Sequence, residues 1–285
     1  MKRTFKILPG VFSICLFAVT ALAGSYKLEY KMAPGQNWLA TFSTEKKSES
    51  AEGKDFSQVN AIVEYKVSEG PEKNWISLTA RIKSQDHPIG NKNTMPKDLS
   101  KIEYVADMHR SGKIKNAKFS GNVLPHLDDK IKKYSPEKVD RYEQSSQIIA
   151  EAWKNTVFWF PDLPEDAMKP GDKFEVTKKM DMGKEAIGMN MQAVFKQVFT
   201  LKDVRDGLAF FIVKGYTTTN STDEKLGESR TVTEGDGEAV FNIREGMWTD
   251  FTIKNQSKVH FSNVRHKSEK FQDVYQISRI HMEKQ

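Results

Sequence analysis

Two short triplets, Met180-Asp181-Met182 and Met189-Asn190-Met191, stand on either side of residues 183–188. Paired as the arms of a hairpin, they set four thioethers on one face. Thioethers are soft ligands that suit Cu(I), so Met180, Met182, Met189 and Met191 form a candidate copper set. No His or Cys lies within a few residues to complete it. Flexible, polarizable methionines also fill irregular cores or line adaptable apolar grooves, and the missing co-ligands favour that use. A second group is Val157-Phe158-Trp159-Phe160, the most apolar aromatic run beyond the N-terminal region. With Phe211 it is the candidate lining for an apolar ligand; the competing expectation is ordinary core, because aromatics dominate burial. Phe210, Phe211, Ile212 and Val213 are apolar on both faces, which reads as a central strand covered on both sides.

Other chemistry is poorly supplied. The histidines, His87, His109, His126, His260, His266 and His281, are scattered without a His-x-x-x-His spacing, so a zinc enzyme is not expected. Asp128-Asp129 and Glu165-Asp166 are neighbours in sequence, which does not make them converge on a substrate. Ser145-Ser146 has no nearby base and no Gly-x-Ser-x-Gly elbow. Gly235-Asp236-Gly237 lacks the lysine of a phosphate loop and reads as a turn. No catalytic residue and no cofactor are expected, and the chain reads as a binding or interaction protein, not an enzyme. The formal charge is +6, from 44 Lys and Arg against 38 Asp and Glu. Three of those cations and none of the acids lie in residues 1–23, so the remainder carries +3 with both signs interspersed. That disfavours a nucleic-acid partner.

Such residues have to be positioned by strands. Tyr26, Leu28, Tyr30 and Met32 alternate with Lys27, Glu29 and Lys31, as on a strand with one wet face. The alternation recurs through Val59–Val67, Ile76–Ile82 and Ile102–Met108. Turn signals separate these segments at Pro34-Gly35, Gly70-Pro71, Ser111-Gly112, Pro170-Gly171, Asp206-Gly207 and Glu245-Gly246, so the strands should be antiparallel hairpins. In between, Leu124, Leu127, Ile131 and Tyr134 fall at helical spacing. A second helix follows Ser135-Pro136, with Val139, Tyr142, Ile149, Ala152 and Trp153 as its apolar stripe, ending before Pro161. Pro34-Gly35 matches Pro170-Gly171, Gly70 matches Gly207, and Gly112 matches Gly246, which suggests duplicated halves, 26–120 and 169–262, joined by a helical segment 123–160. The expected fold is mainly β: one domain, 24–285, holding a curled antiparallel sheet of about a dozen strands, a half-barrel or barrel, covered by an α-helical pair.

Lys2, Arg3 and Lys6, the apolar stretch Val11–Leu22 and Ala21-Leu22-Ala23 have the three parts of a secretory signal peptide, with cleavage expected after Ala23. The sole cysteine, Cys15, leaves with it, which removes thiol chemistry. No later segment is long and uncharged enough for a transmembrane helix. Ser25 stands where a lipoprotein would carry its acylated cysteine, so no lipid anchor is expected. Phe160-Pro161-Asp162-Leu163-Pro164, Lys169-Pro170-Gly171-Asp172-Lys173-Phe174, Gly235–Phe241 and Gly246-Met247-Trp248 resemble an uncharacterised family of exported bacterial β-rich proteins. That family is similar in plan to the half-barrel of periplasmic lipoprotein carriers. The resemblance implies a periplasmic or extracellular protein that binds a lipid or other apolar ligand on a concave sheet. A structural module docking another envelope protein is the alternative, and a methionine-rich copper binder is the third.

Overall fold

The computed structural model of the chain describes residues 24–50, 53–86, 99–123, 136–182, 190–223, 227–263 and 268–285. The first expected helix, on Leu124–Tyr134, and the signal segment lie outside them. Eleven strands form a single antiparallel sheet. The first meander comprises β1 (Asn37–Ser50), β2 (Gly53–Glu69), β3 (Trp75–Gln85), β4 (Glu103–His109) and β5 (Ile114–Ser120). The helix α1 (Pro136–Val157) then leads to β6 (Lys173–Met182), β7 (Asn190–Arg205), β8 (Leu208–Asp223), β9 (Gly227–Asn242), β10 (Met247–Asn263) and β11 (Ser268–Lys284). The spatial order is β5-β4-β3-β2-β1-β11-β10-β9-β8-β7-β6. The first and last strands therefore meet in the middle, α1 lies on the connection between the two edge strands β5 and β6, and the sheet is not closed.

The sheet is curled, and two hydrogen bonds prove it. Tyr30 N–H donates to Arg110 O (2.9 Å) and Lys31 N–H to Gly246 O (3.1 Å). Arg110 lies in the β4–β5 turn and Gly246 in the β9–β10 turn, five strand spacings apart, about 24 Å in a flat sheet. Two successive amides reach both only if the sheet folds into a trough. Register shifts at Ile62/Val63, Val105/Asp107, Leu201/Asp203 and Trp248/Asp250 mark the bulges that sharpen this curvature.

The segment carrying these amides corrects one expectation. Tyr26–Met32 alternates as predicted, with Leu28, Tyr30 and Met32 buried, but it is not a strand of the sheet. It bridges only Met168, through Tyr26, and otherwise straps across the hairpin turns. Period-two burial requires an extended chain between two surfaces and says nothing about where its hydrogen bonds go. The expected two-sided burial of Phe210–Val213 is also absent: Phe211 and Val213 are buried, while Ile212 is exposed on the outer face.

α1 begins at Pro136, where a missing N–H costs nothing. Ala150, Trp153 and Val157 recur at spacings of three and four and turn one face inward. The two meanders use matching turn chemistry. Gly35 N–H donates to Val67 O (2.9 Å) and Gly171 N–H to Leu201 O (2.7 Å); Gln36 N–H to Ala33 O (3.1 Å) corresponds to Asp172 N–H to Lys169 O (2.9 Å). The turns expected from glycine thus gather at one end of the trough.

Candidate functional site

At that end the trough is filled. Tyr30 donates its hydroxyl to Pro161 O (3.0 Å) and accepts from Trp248 Nε1 (2.8 Å), while Tyr65 donates to Val157 O (2.7 Å). Phe160 meets Tyr30 edge-on at 5.6 Å and Tyr65 at 6.0 Å, and Trp159 lies 4.5 Å from Phe251. Burial pushes the phenols of Tyr30, Tyr65 and Tyr104 well up from their usual value, with Glu151 adding to the shift at Tyr104. The residues singled out as ligand lining are placed accordingly: Val157, Phe158, Phe160 and Phe211 are buried, and Trp159 is half-buried. Beside Trp159 and Phe160 lies a recess of about 10 Å³ lined also by Trp248, Phe251, Ile280 and Met282. That is room for one water and none for an alkyl chain.

The inner face changes character within two register steps along the strands. One row across the sheet reads Ala61, Phe42, Ile280, Phe251, Ala239, Phe211, Leu201. The next is mixed, with Val59, Thr44, Ser278, Ile253, Gly237 and Val213. The third reads Lys46, Gln276, Asn255, Gly235, Gly215, Gln197, and the fourth Ser48, Val274, Ser257, Thr233, Thr217, Phe195. Cross-strand hydroxyls link there: Thr44 and Ser278 at 3.3 Å, Thr233 and Ser257 at 2.8 Å. Asn255 leans over β9, because a Cβ on Gly235 would stand 2.0 Å from its Oδ1. In these rows the inward side chains are mostly half-buried and the outward ones exposed, so the curl persists beyond the packed end while nothing described covers it.

Few charges face this lining. Lys46 and Asp55 lie on the β1–β2 side, and Lys178, opposite Phe195, lies on the other. Burial holds the Lys178 ammonium below the usual lysine range, with Asp162 opposing. By register Met182 is opposite Met191 and Met180 opposite Ala193; Met189 lies outside the described residues. His109 pairs with Ser111 Oγ (2.9 Å), His260 stacks on Phe271 (4.8 Å) and His281 meets Asp250 (2.8 Å), three separate places. Ser146 is buried and donates to Val123 O, while Glu165 and Asp166 are exposed. Sequence reasoning missed Asn255, Gln276 and Gln197, which share a row only through the register of strands far apart in the chain.

The fold defines a class: an open, curled antiparallel sheet with a helical insertion between its edges. No protein-family model matches the chain, and no curated protein does. A lipovitellin structure concerned with lipid–protein interactions aligns with a TM-score of 0.44 and 11% identity, covering 89% of this chain and 25% of that one. The chain thus spans about a quarter of its length. Neisserial surface protein A aligns at 0.23 and 5%, covering 86% and 96%. A BenF-like porin from Pseudomonas fluorescens Pf-5 aligns at 0.25 and 6%, covering 88% and 98%. These are weak resemblances of shape, and no lipoprotein-carrier family is shown by them. Among the described residues no helix is long and apolar enough to cross a membrane.

Proposed function

We propose that the open half of the trough binds an elongated, uncharged amphiphile, with a lipid as the nearest chemical class. The observation that carries this is the abrupt change of the inner face from a packed aromatic row to an uncovered lining of hydroxyls, amides and valines. Valine and threonine methyls offer alkyl contact along Val59, Val259 and Thr233, and Asn255, Gln276, Gln197 and Ser257 offer hydrogen bonds to hydroxyl or carbonyl groups. The aromatic run Val157–Phe160 is the floor against which the ligand ends and does not surround it, since the recess beside Trp159 admits only a water. Export to the periplasm, as the N-terminal segment suggests, fits such a carrier or sensor and belongs to the same proposal.

Docking of another protein on the outer face draws on the exposed Val194, Ile212, Tyr216 and Val232. Lys196, Glu234 and Glu238 sit between them in the register, which breaks the apolar patch. The ligand reading is therefore preferred. Its test is titration with a dansyl-labelled diacylglycerol, an uncharged lipid, together with the mass difference between native and denatured protein. The parent should bind the probe with a blue-shifted emission, and Ser257→Lys, which places a charge in the middle of the lining, should lose it. A parent that leaves the probe unbound, or a Ser257→Lys chain that binds equally well, overturns the reading.

A further inference from the structure

At the open end of the trough the last described register pairs of two neighbouring hairpins carry exposed rings. Phe56 stands on the β1–β2 hairpin, with Phe261 and Phe271 on the β10–β11 hairpin; β1 and β11 are paired, so the two tips adjoin. Each ring lies within four register pairs of the last pair of its hairpin, Ser50 with Gly53 or Asn263 with Ser268. Phe271 is 71% exposed, Phe56 56% and Phe261 42%. Phe56 and Phe271 lie on the outer face and Phe261 on the inner, so aromatic side chains flank the rim from both sides. One outer row reads Phe56, Lys47, Tyr275, an alternation of rings and a cation.

We infer that this rim is a membrane-docking edge, which seats the mouth of the trough on the interfacial layer of a lipid bilayer. Aromatic rings with lysines beside them are the composition that partitions into that layer. Lys46, Lys47 and Lys258 make no ion pair among the described residues, whereas Lys54 is held by Glu49 at 3.1 Å. Asp55 and Asp273 stand among them, so anionic lipids should help without being decisive. A protein partner fits less well. The three rings expose on the order of 300–400 Å² at about 200 Å² per aromatic side chain, against about 800 Å² per partner in a stable protein interface. The inference goes beyond the ligand reading and is independent of it, since the three rings Phe56, Phe261 and Phe271 lie outside the four lining rows.

The experiment is sedimentation of the full chain with vesicles of phosphatidylethanolamine and phosphatidylglycerol. The parent is compared with the Phe261→Ser/Phe271→Ser double variant and with Ile212→Ser, an apolar residue about as exposed as Phe261 and remote from the rim. All three carry the same residues 1–23, so the N-terminal segment contributes equally. The parent and Ile212→Ser should pellet with vesicles alike, and the double variant should lose about tenfold or more of its partitioning. A double variant that pellets like the parent, a parent that stays in the supernatant, or an equal loss in Ile212→Ser overturns the inference. Loss of vesicle binding with retained dansyl-lipid titration, or the reverse, tells failure here from failure of the ligand reading.

Discussion

β10 passes through two environments on one face. Phe251 is 4% exposed and Phe261 is 42% exposed, although both are phenylalanines pointing to the inside of the same curled sheet. What differs is cover. At Phe251 the trough holds Trp159, Phe160 and, behind them, the strap of residues 24–34; at Phe261 nothing described lies above the sheet. The alternation of inward and outward residues is thus a property of the curl, and stability is a property of the plug. The packed end should carry most of the folding energy, and the open half should be nearly free to change.

The largest separation should come from pH. Tyr30, Tyr65 and Tyr104 all lie in or beside the packed end, and burial raises each phenol above its unfolded value of about 10. The folded chain therefore keeps protons that the unfolded chain releases. The stability these phenols contribute is fully present below about pH 10 and is lost as pH rises toward their folded values, at about 1.4 kcal/mol per pH unit for each. Alkaline titration followed by phenolate absorbance and tryptophan fluorescence should show these tyrosines ionising together with a steep unfolding. Gradual phenolate formation with intact fluorescence would mean that the packed end is looser than this geometry requires.

A substitution pair sharpens the contrast. Phe160→Ala removes a ring that packs against Tyr30 and Tyr65 and should cost about 3–5 kcal/mol in urea unfolding. Phe261→Ala, on the open rim, should stay within about 0.5 kcal/mol. Equal losses would dissolve the division between plug and open half.

Much of this division was legible in the residues and part of it was not. The turns at Gly35, Gly112, Gly171, Gly207 and Gly246 could be read directly, because positive φ is a local steric demand. α1 could be read from Pro136 and Trp153, but its buried face runs through Ala150 and Val157, while Ala152 of the expected stripe is exposed. Tyr26–Met32 reads as a strand and is not one of the sheet's strands, because alternation reports burial without naming a hydrogen-bond partner. Ile212 was expected under cover because four successive apolar residues do not reveal which face meets water. The row of Gln276, Asn255 and Gln197 was invisible, since none is unusual in its own segment and only the pairing of β11, β10, β9, β8 and β7 aligns them.

Glycines give the smallest and most local comparison. Gly246 has φ +64, and a Cβ there would stand 2.4 Å from both Glu29 O and Lys31 N, the backbone of the strap. Neither atom can move without breaking the Lys31 bond to Gly246 O that holds the trough curled. Gly235, in the open half, has no such φ; the closest atom to its Cβ would be the Asn255 side-chain oxygen, at 2.0 Å. That amide can swing into the uncovered trough, which leaves Ile253 Cδ1 at 3.2 Å as the remaining close approach. Gly246→Ala should therefore cost about 1–3 kcal/mol, and Gly235→Ala less than about 1 kcal/mol, read as shifts of the urea midpoint. If Gly235→Ala proved the costlier, Asn255 would be locked in place, and the lining would be a rigid, preorganised surface instead of an adaptable one.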